Sequence, residues 1–277
     1  MPRLESLSLV FRDSVDASAP PSSVNDGDST PTLHSLGALR LSGASSQIEQ
    51  VLAALDSPAL HTATLSVAVH AGDTDGWIRV CALLAARCAP SLRSLRAELR
   101  QASARVVPTA APRPFADAVR PLLALHVLRH CTLALRDPAG VAMDDADVAA
   151  MGEAWPALEA LDVVLPEHGR GTRPSITSAA VLTRACPALK TLRMPFSADL
   201  SNLPCPRPSG DGENVESLMR ARLLEDMRRI GDGLRNLWVY GACFSRAESS
   251  RVIAFLRGCF PNVDLRPMVN AGVLHVR

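Results

Sequence analysis

Segments of the form Leu-x-x-Leu-x-Leu recur along this chain, beginning at Leu4, Leu36, Leu60, Leu92, Leu128, Leu158, Leu189 and Leu234, with a weaker copy at Val263. Most successive starts lie about 24 to 36 residues apart, within the range of stacked-repeat architectures; the step from Leu189 to Leu234 is longer. A unit this short cannot bury its own apolar side, so it must stack on its neighbours. Inside a segment the apolar residues alternate with period two, as in Leu158, Leu161, Val163 and Leu165. That alternation predicts a strand buried on one side and open on the other.

Between the strands lie stretches with helix start and stop signals. Ser46-Gln-Ile-Glu49 and Ser245-Arg-Ala-Glu248 fit the capping box, in which a hydroxyl and a carboxylate satisfy free amides at a helix start. Asp144, Asp145 and Asp147 place carboxylates where another helix would present the positive end of its dipole. Pro90, Pro156, Pro187 and Pro261 each stand just before the next strand. Proline lacks an amide hydrogen and pushes its predecessor out of helical geometry, so each enforces a stop.

Strand, crossover helix and strand give parallel pairing. Short, similar crossovers predict an α/β solenoid spanning residues 1–277, with a curved parallel sheet on the concave face and helices on the convex face. Four polar or Pro/Gly-rich stretches read as loops inserted on the repeat edge: Asp13 to Thr32, Gln101 to Pro114, Pro166 to Pro174 and Ser197 to Glu213. A solenoid needs a polar cap at each end, yet the sequence opens almost directly on Leu4-Glu-Ser-Leu7-Ser-Leu9. The expectation is that a cap is missing, supplied by further chain or by a partner.

Composition agrees with this. Aromatic residues are 4% of the chain, so Leu, Ala and Val must fill the core, which suits many similar small elements. Seven cysteines with no CxxC pair predict reduced thiols and an intracellular protein, cytoplasmic or nuclear. No apolar run approaches the roughly 20 residues of a membrane-spanning helix, and the start lacks the charge order of a signal peptide. A net charge of +1 argues against nucleic acid as a partner, since phosphate affinity comes from clustered cations. Lys190 is the only lysine.

Cys186-Pro187-Ala-Leu189-Lys-Thr-Leu192, preceded by Ile176-Thr177 and Ala180-Val-Leu182, resembles the cysteine-containing leucine-rich repeats of F-box proteins. Trp155-Pro156-Ala-Leu158-Glu-Ala-Leu161 repeats the pattern with Trp in place of Cys. From Leu33 onward the chain is similar to the repeat region of fungal F-box/LRR-like proteins. The resemblance implies a leucine-rich-repeat solenoid whose repeats hold a protein substrate. In that family an F-box docks on the Skp-type adaptor of a cullin-RING ubiquitin ligase. No segment here reads as an F-box, so an adaptor is expected only if one lies upstream.

Enzyme signatures are missing where spacing makes them testable: no GxxxxGK, HExxH, GxSxG or GxGxxG after a strand. His126, His130 and Cys131 fall across a helix-to-strand junction. The Asp144 cluster, which a metal enzyme would combine with His168, reads first as helix capping. Gly169-Arg-Gly171 is too short to cradle a phosphate, and the Arg-containing stretch Asn214 to Asp232 reads as a solvated helix face. No catalytic residue, metal or cofactor is expected.

The non-leucine strand positions should form ladders on the concave face. One holds Arg40, Thr64, Arg96, Thr132, Asp162, Arg193 and Trp238. A second runs through Ser94, His130, Thr191 and Asn236, and a third holds Glu98 and Tyr240. Aromatics beside arginines dominate many recognition surfaces. The candidate partner-binding residues are therefore Arg96, Glu98, Asp162, Arg193, Asn236, Trp238 and Tyr240.

Overall fold

A computed structural model of the chain describes residues 4–11, 33, 35–69, 75–101, 112–136, 140–166, 171–197, 233–240, 246–260 and 262–263. The elements run β1 (Ser6–Val10), β2 (Ala38–Ala44), α1 (Ser45–Ala54), β3 (Thr62–Val69), α2 (Asp75–Cys88) and β4 (Ser94–Gln101). Next come β5 (Arg113–Pro114), α3 (Phe115–Val119), a 3-10 turn at Arg120–Ala124, β6 (His130–Arg136), β7 (Val141–Ala142) and α4 (Asp145–Ala154). The last are β8 (Ala160–Val164), α5 (Ser178–Ala185), β9 (Thr191–Pro195), β10 (Asn236–Tyr240) and α6 (Arg246–Cys259).

Eight strands make one parallel sheet in the order β1-β2-β3-β4-β6-β8-β9-β10, so each pairs with its predecessor along the chain. Each begins two residues after the first Leu of its segment. The α/β class and parallel sheet follow the sequence expectation. The long step from Leu189 to Leu234 leaves the ladder intact: Thr191 pairs Asn236 and Arg193 pairs Trp238. β5 and β7 form a separate two-stranded parallel sheet. It falls partly on the expected Gln101 to Pro114 loop, of which 102–111 lie outside the described residues. So do 12–32 and most of 197–213.

Burial alternates along β2, β3, β4, β6 and β8 and along β9 as far as Met194, and the buried residues fall in shared rows. Leu41, Leu65, Ala97, Leu133 and Val163 make one such row, and Leu39, Ala63, Leu95, Cys131, Leu161 and Leu192 another. Both belong to a single core that also takes in Ile48, Val80, Leu84, Val148, Leu182 and Leu256 from the helices. Each buried leucine contributes about 1.5–3 kcal/mol. Among the described residues the helices thus cover one face and leave the other open. Trp77 and Trp155 fill the helix layer and donate their indole N–H groups to Ala118 O at 2.8 Å and Leu122 O at 3.2 Å. Among the described residues no helix is long and apolar enough to cross a membrane.

The proline stops lie where expected. α2 ends at Cys88, α4 at Ala154, α5 at Ala185 and α6 at Cys259. Trp155, Cys186 and Phe260 share one cap geometry: each N–H reaches back four residues, and each carbonyl accepts from the amide three residues on. The start of α1 differs from its predicted capping box. Ala44 is the N-cap and its N–H donates to Gln47 Oε1 at 3.1 Å. β2 runs directly into α1, which puts Ser46 two residues too late to cap, and Glu49 pairs with Arg79 at 3.0 Å instead. Ser245 lies outside the described residues.

α4 and α5 pack closely because Gly152 faces Ala185; a Cβ on Gly152 would stand 2.7 Å from the Ala185 Cβ. Helix propensity alone favours Ala over Gly by about 1 kcal/mol. Gly152→Ala should nevertheless destabilise by about 1–3 kcal/mol in a urea titration, and the loss should shrink when Ala185→Gly is added. A stabilised Gly152→Ala variant would contradict the packing.

Candidate functional site

The open face carries the predicted ladders in register. Arg40 stands opposite Thr64, Thr64 opposite Arg96, Arg96 opposite Thr132, Thr132 opposite Asp162, Asp162 opposite Arg193 and Arg193 opposite Trp238. Asn236 pairs Thr191, and its Nδ2 donates to the Thr191 hydroxyl at 3.4 Å. Glu98 pairs Ala134 one row along, and Tyr240 pairs Pro195. Arg96 and Arg193 are exposed; Glu98, Asp162, Asn236 and Trp238 are half-buried. The side chain of Tyr240 lies outside the described set.

Asp162 is the most constrained of these groups. Its Oδ1 is buried, accepts no hydrogen bond, and lies 3.7 Å from Arg193 Nε. That distance is an ion pair without a hydrogen bond. Burial pushes its carboxyl up, and the Arg193 and Arg96 charges pull part of the way back. Glu98 is 3.5 Å from Arg136, and Arg100 donates to the Ser42 hydroxyl at 3.3 Å.

A further row lies one residue before each strand. Backbone bonds run from Gly37 to Glu5, His61 to Gly37, Arg93 to His61, Arg129 to Arg93, Glu159 to Arg129, Lys190 to Glu159 and Arg235 to Lys190. Glu159 bridges two neighbours, Lys190 at 2.7 Å and Arg129 at 3.5 Å. The Lys190 contact above all holds its carboxyl below the usual range. This row was missed from sequence, although its signal is plain in aligned segments: the residue after the first Leu is Arg, Arg, Lys and Arg at 93, 129, 190 and 235.

The candidates for chemistry are committed elsewhere. Asp144 Oδ1 accepts from the Ala146 and Asp147 amides, and Asp147 Oδ2 accepts from the Asp144 amide, completing a capping box. Asp145 Oδ1 accepts from the Ser175 amide and the Ser178 hydroxyl, tying α4 to the segment before α5. His126 sits in a turn with Nδ1 3.0 Å from Ala154 O, and His130 opens β6, so the two share no helix face. His168 lies outside the described residues, as do Asn214 to Asp232. No group of three or more metal-ligating side chains occurs among the described residues. Their five cysteines are buried. Burial pushes Cys88 and Cys186 up to about 11 and Cys259 up to about 12, and raises Cys81 and Cys131 further. Thiols held this far from ionisation are inert.

No protein-family model matches the chain, and no curated protein matches it. Among solved structures, an internalin from Listeria monocytogenes is similar at 11% identity, over 87% of this chain and 72% of that one, with a TM-score of 0.27. Likeness at that level transfers no residue and no activity.

Two outcomes follow from the electrostatics. A carboxyl whose folded pKa is raised is destabilising when ionised, and that penalty is lost as pH falls through the folded pKa. Asp162→Asn should therefore raise the unfolding free energy from a urea titration at neutral pH by less than about 1 kcal/mol after solvent screening, with the gap closing on acidification. A gap that widens in acid would contradict the assignment. In the native protein, a thiol reagent mapped by mass spectrometry should leave Cys81, Cys88, Cys131, Cys186 and Cys259 unlabelled until denaturant is added.

Proposed function

We propose that the chain is a leucine-rich-repeat solenoid that binds a protein partner on the open, concave side of its sheet and performs no chemistry itself. One observation carries this reading: the open face continues in register through Trp238, a large half-buried ring opposite an exposed arginine, with no helix of the described residues over it. Aromatic and arginine side chains supply most hot spots in protein interfaces. The proposed contact set is Arg96, Glu98, Asp162, Arg193, Asn236, Trp238 and Tyr240, centred on Arg193 and Trp238.

In its finer form the reading is substrate recognition for a cullin-RING ubiquitin ligase. That form rests on the F-box/LRR resemblance alone and needs an F-box to accompany the repeats. Co-purification of a Skp-type adaptor with the native full-length protein is its test; without it, the chain is a free-standing repeat scaffold.

Proximity labelling in the native cell should yield neighbours that disappear in a Trp238→Ala, Arg193→Ala double variant. Trp238→Ala alone should weaken binding of an identified neighbour at least about tenfold, or 1.4 kcal/mol, while the chain stays folded by circular dichroism. Unchanged neighbours, or an unfolded variant, would reject the site.

A further inference from the structure

The charge on this molecule is segregated. On the open face of the described strands stand five exposed arginines, Arg40, Arg96, Arg100, Arg136 and Arg193, against two carboxylates, Glu98 and Asp162. The row before the strands adds Arg93, Arg129, Lys190 and Arg235, all exposed, against Glu5 and Glu159. The whole chain holds 29 basic and 28 acidic side chains, so the rest of it has an excess of acid.

The cations also stand beside one another. Arg100 is the register partner of Arg136, Arg129 is backbone-bonded to Arg93, and Arg235 to Lys190. Like charges on adjacent strands, about 4.8 Å apart, destabilise the pair. An acidic partner removes that cost on binding.

Two features distinguish which acidic partner fits. Asp162 lies between Arg96 and Arg193 in the same row, so a uniformly anionic strand such as a nucleic acid would lay phosphate over a carboxylate. The spacings suit an extended peptide crossing the strands. Arg40 and Arg96 are two strands apart, about 10 Å, and Arg96 and Arg193 three strands, about 14 Å. A chain rising about 3.3 Å per residue covers these steps in about three and four residues, and acidic side chains at every second position, all on one side, bring a carboxylate near each arginine.

We infer that the partner presents an extended acidic peptide, whose carboxylates pair with Arg40, Arg96 and Arg193. This rests on the proposed function and names the chemistry of its partner. Carboxylate–guanidinium pairs are two-pronged and directional, and the remaining cations steer the encounter.

The test is fluorescence anisotropy on the purified full chain with a labelled peptide of alternating Glu and Ser, its Gln-for-Glu analogue, and single-stranded oligothymidylate of equal charge. The Glu peptide should bind, weaken steeply with added salt, and lose about tenfold or more in an Arg96→Glu, Arg193→Glu variant whose thermal unfolding is unchanged. An Arg79→Glu control in α2, away from the open face, should bind as wild type. Tighter binding of oligothymidylate than of the Glu peptide would overturn the inference in favour of nucleic acid. Equal binding of the Gln analogue, lost in Trp238→Ala, would overturn it and leave the protein-binding reading standing. If no peptide binds, the acidic-peptide inference fails, and the labelling experiment with Trp238 and Arg193 still decides the protein-binding reading separately.

Discussion

Register is the constraint on which everything else in this structure depends. Side chains on a strand alternate faces with period two, so slipping any strand by one residue would expose its leucines and bury its charges. Leu39, Leu65, Leu133 and Leu161 sit in the core because the ladder holds each strand in step with the one before. The same alignment puts Arg96, Asp162, Arg193 and Trp238 into one row. Core and candidate site are therefore two sides of a single fact, and a substitution that disturbs pairing disturbs both.

Helix packing is held as closely. Gly152 against Ala185 brings α4 and α5 together, while Trp77 and Trp155 fill the layer and donate their N–H groups to carbonyls of a neighbouring unit, the following one for Trp77 and the preceding one for Trp155. Each indole is thus both a large apolar filler and a tie between consecutive units. Asp145, bonded to Ser175 and Ser178, does the same at the mouth of a helix. A carboxylate held in this way ties two helices together, which is why the acidic cluster reads as structure.

Much of this was legible in the residues. All eight strands start where the leucine segments predict, since the period-two pattern states both the strand and its buried side. The proline stops were legible because proline acts locally. The start of α1 was not: Ser46 and Glu49 have the right chemistry for a cap, but the length of β2 decides which residue arrives at the cap, and that is a tertiary matter. The short β5–β7 pair was hidden for a similar reason, because two-residue strands carry no period. At the site, register placed Arg193 opposite Trp238 from sequence alone. The isolated Oδ1 of Asp162 was invisible, since hydrogen-bond satisfaction depends on distances. The basic row at 93, 129, 190 and 235 was in plain sight but overshadowed by a net charge near zero, which averages away exactly the segregation that matters.

One member of that row sets it apart from the others. Lys190 is the chain's only lysine, exposed and 2.7 Å from Glu159. Reagents or enzymes that acylate primary side-chain amines therefore have a single address on this molecule, at the rim of the sheet. Modification there would erase one positive charge, leave Glu159 to Arg129, and make the rim's polarity adjustable at one atom, Nζ.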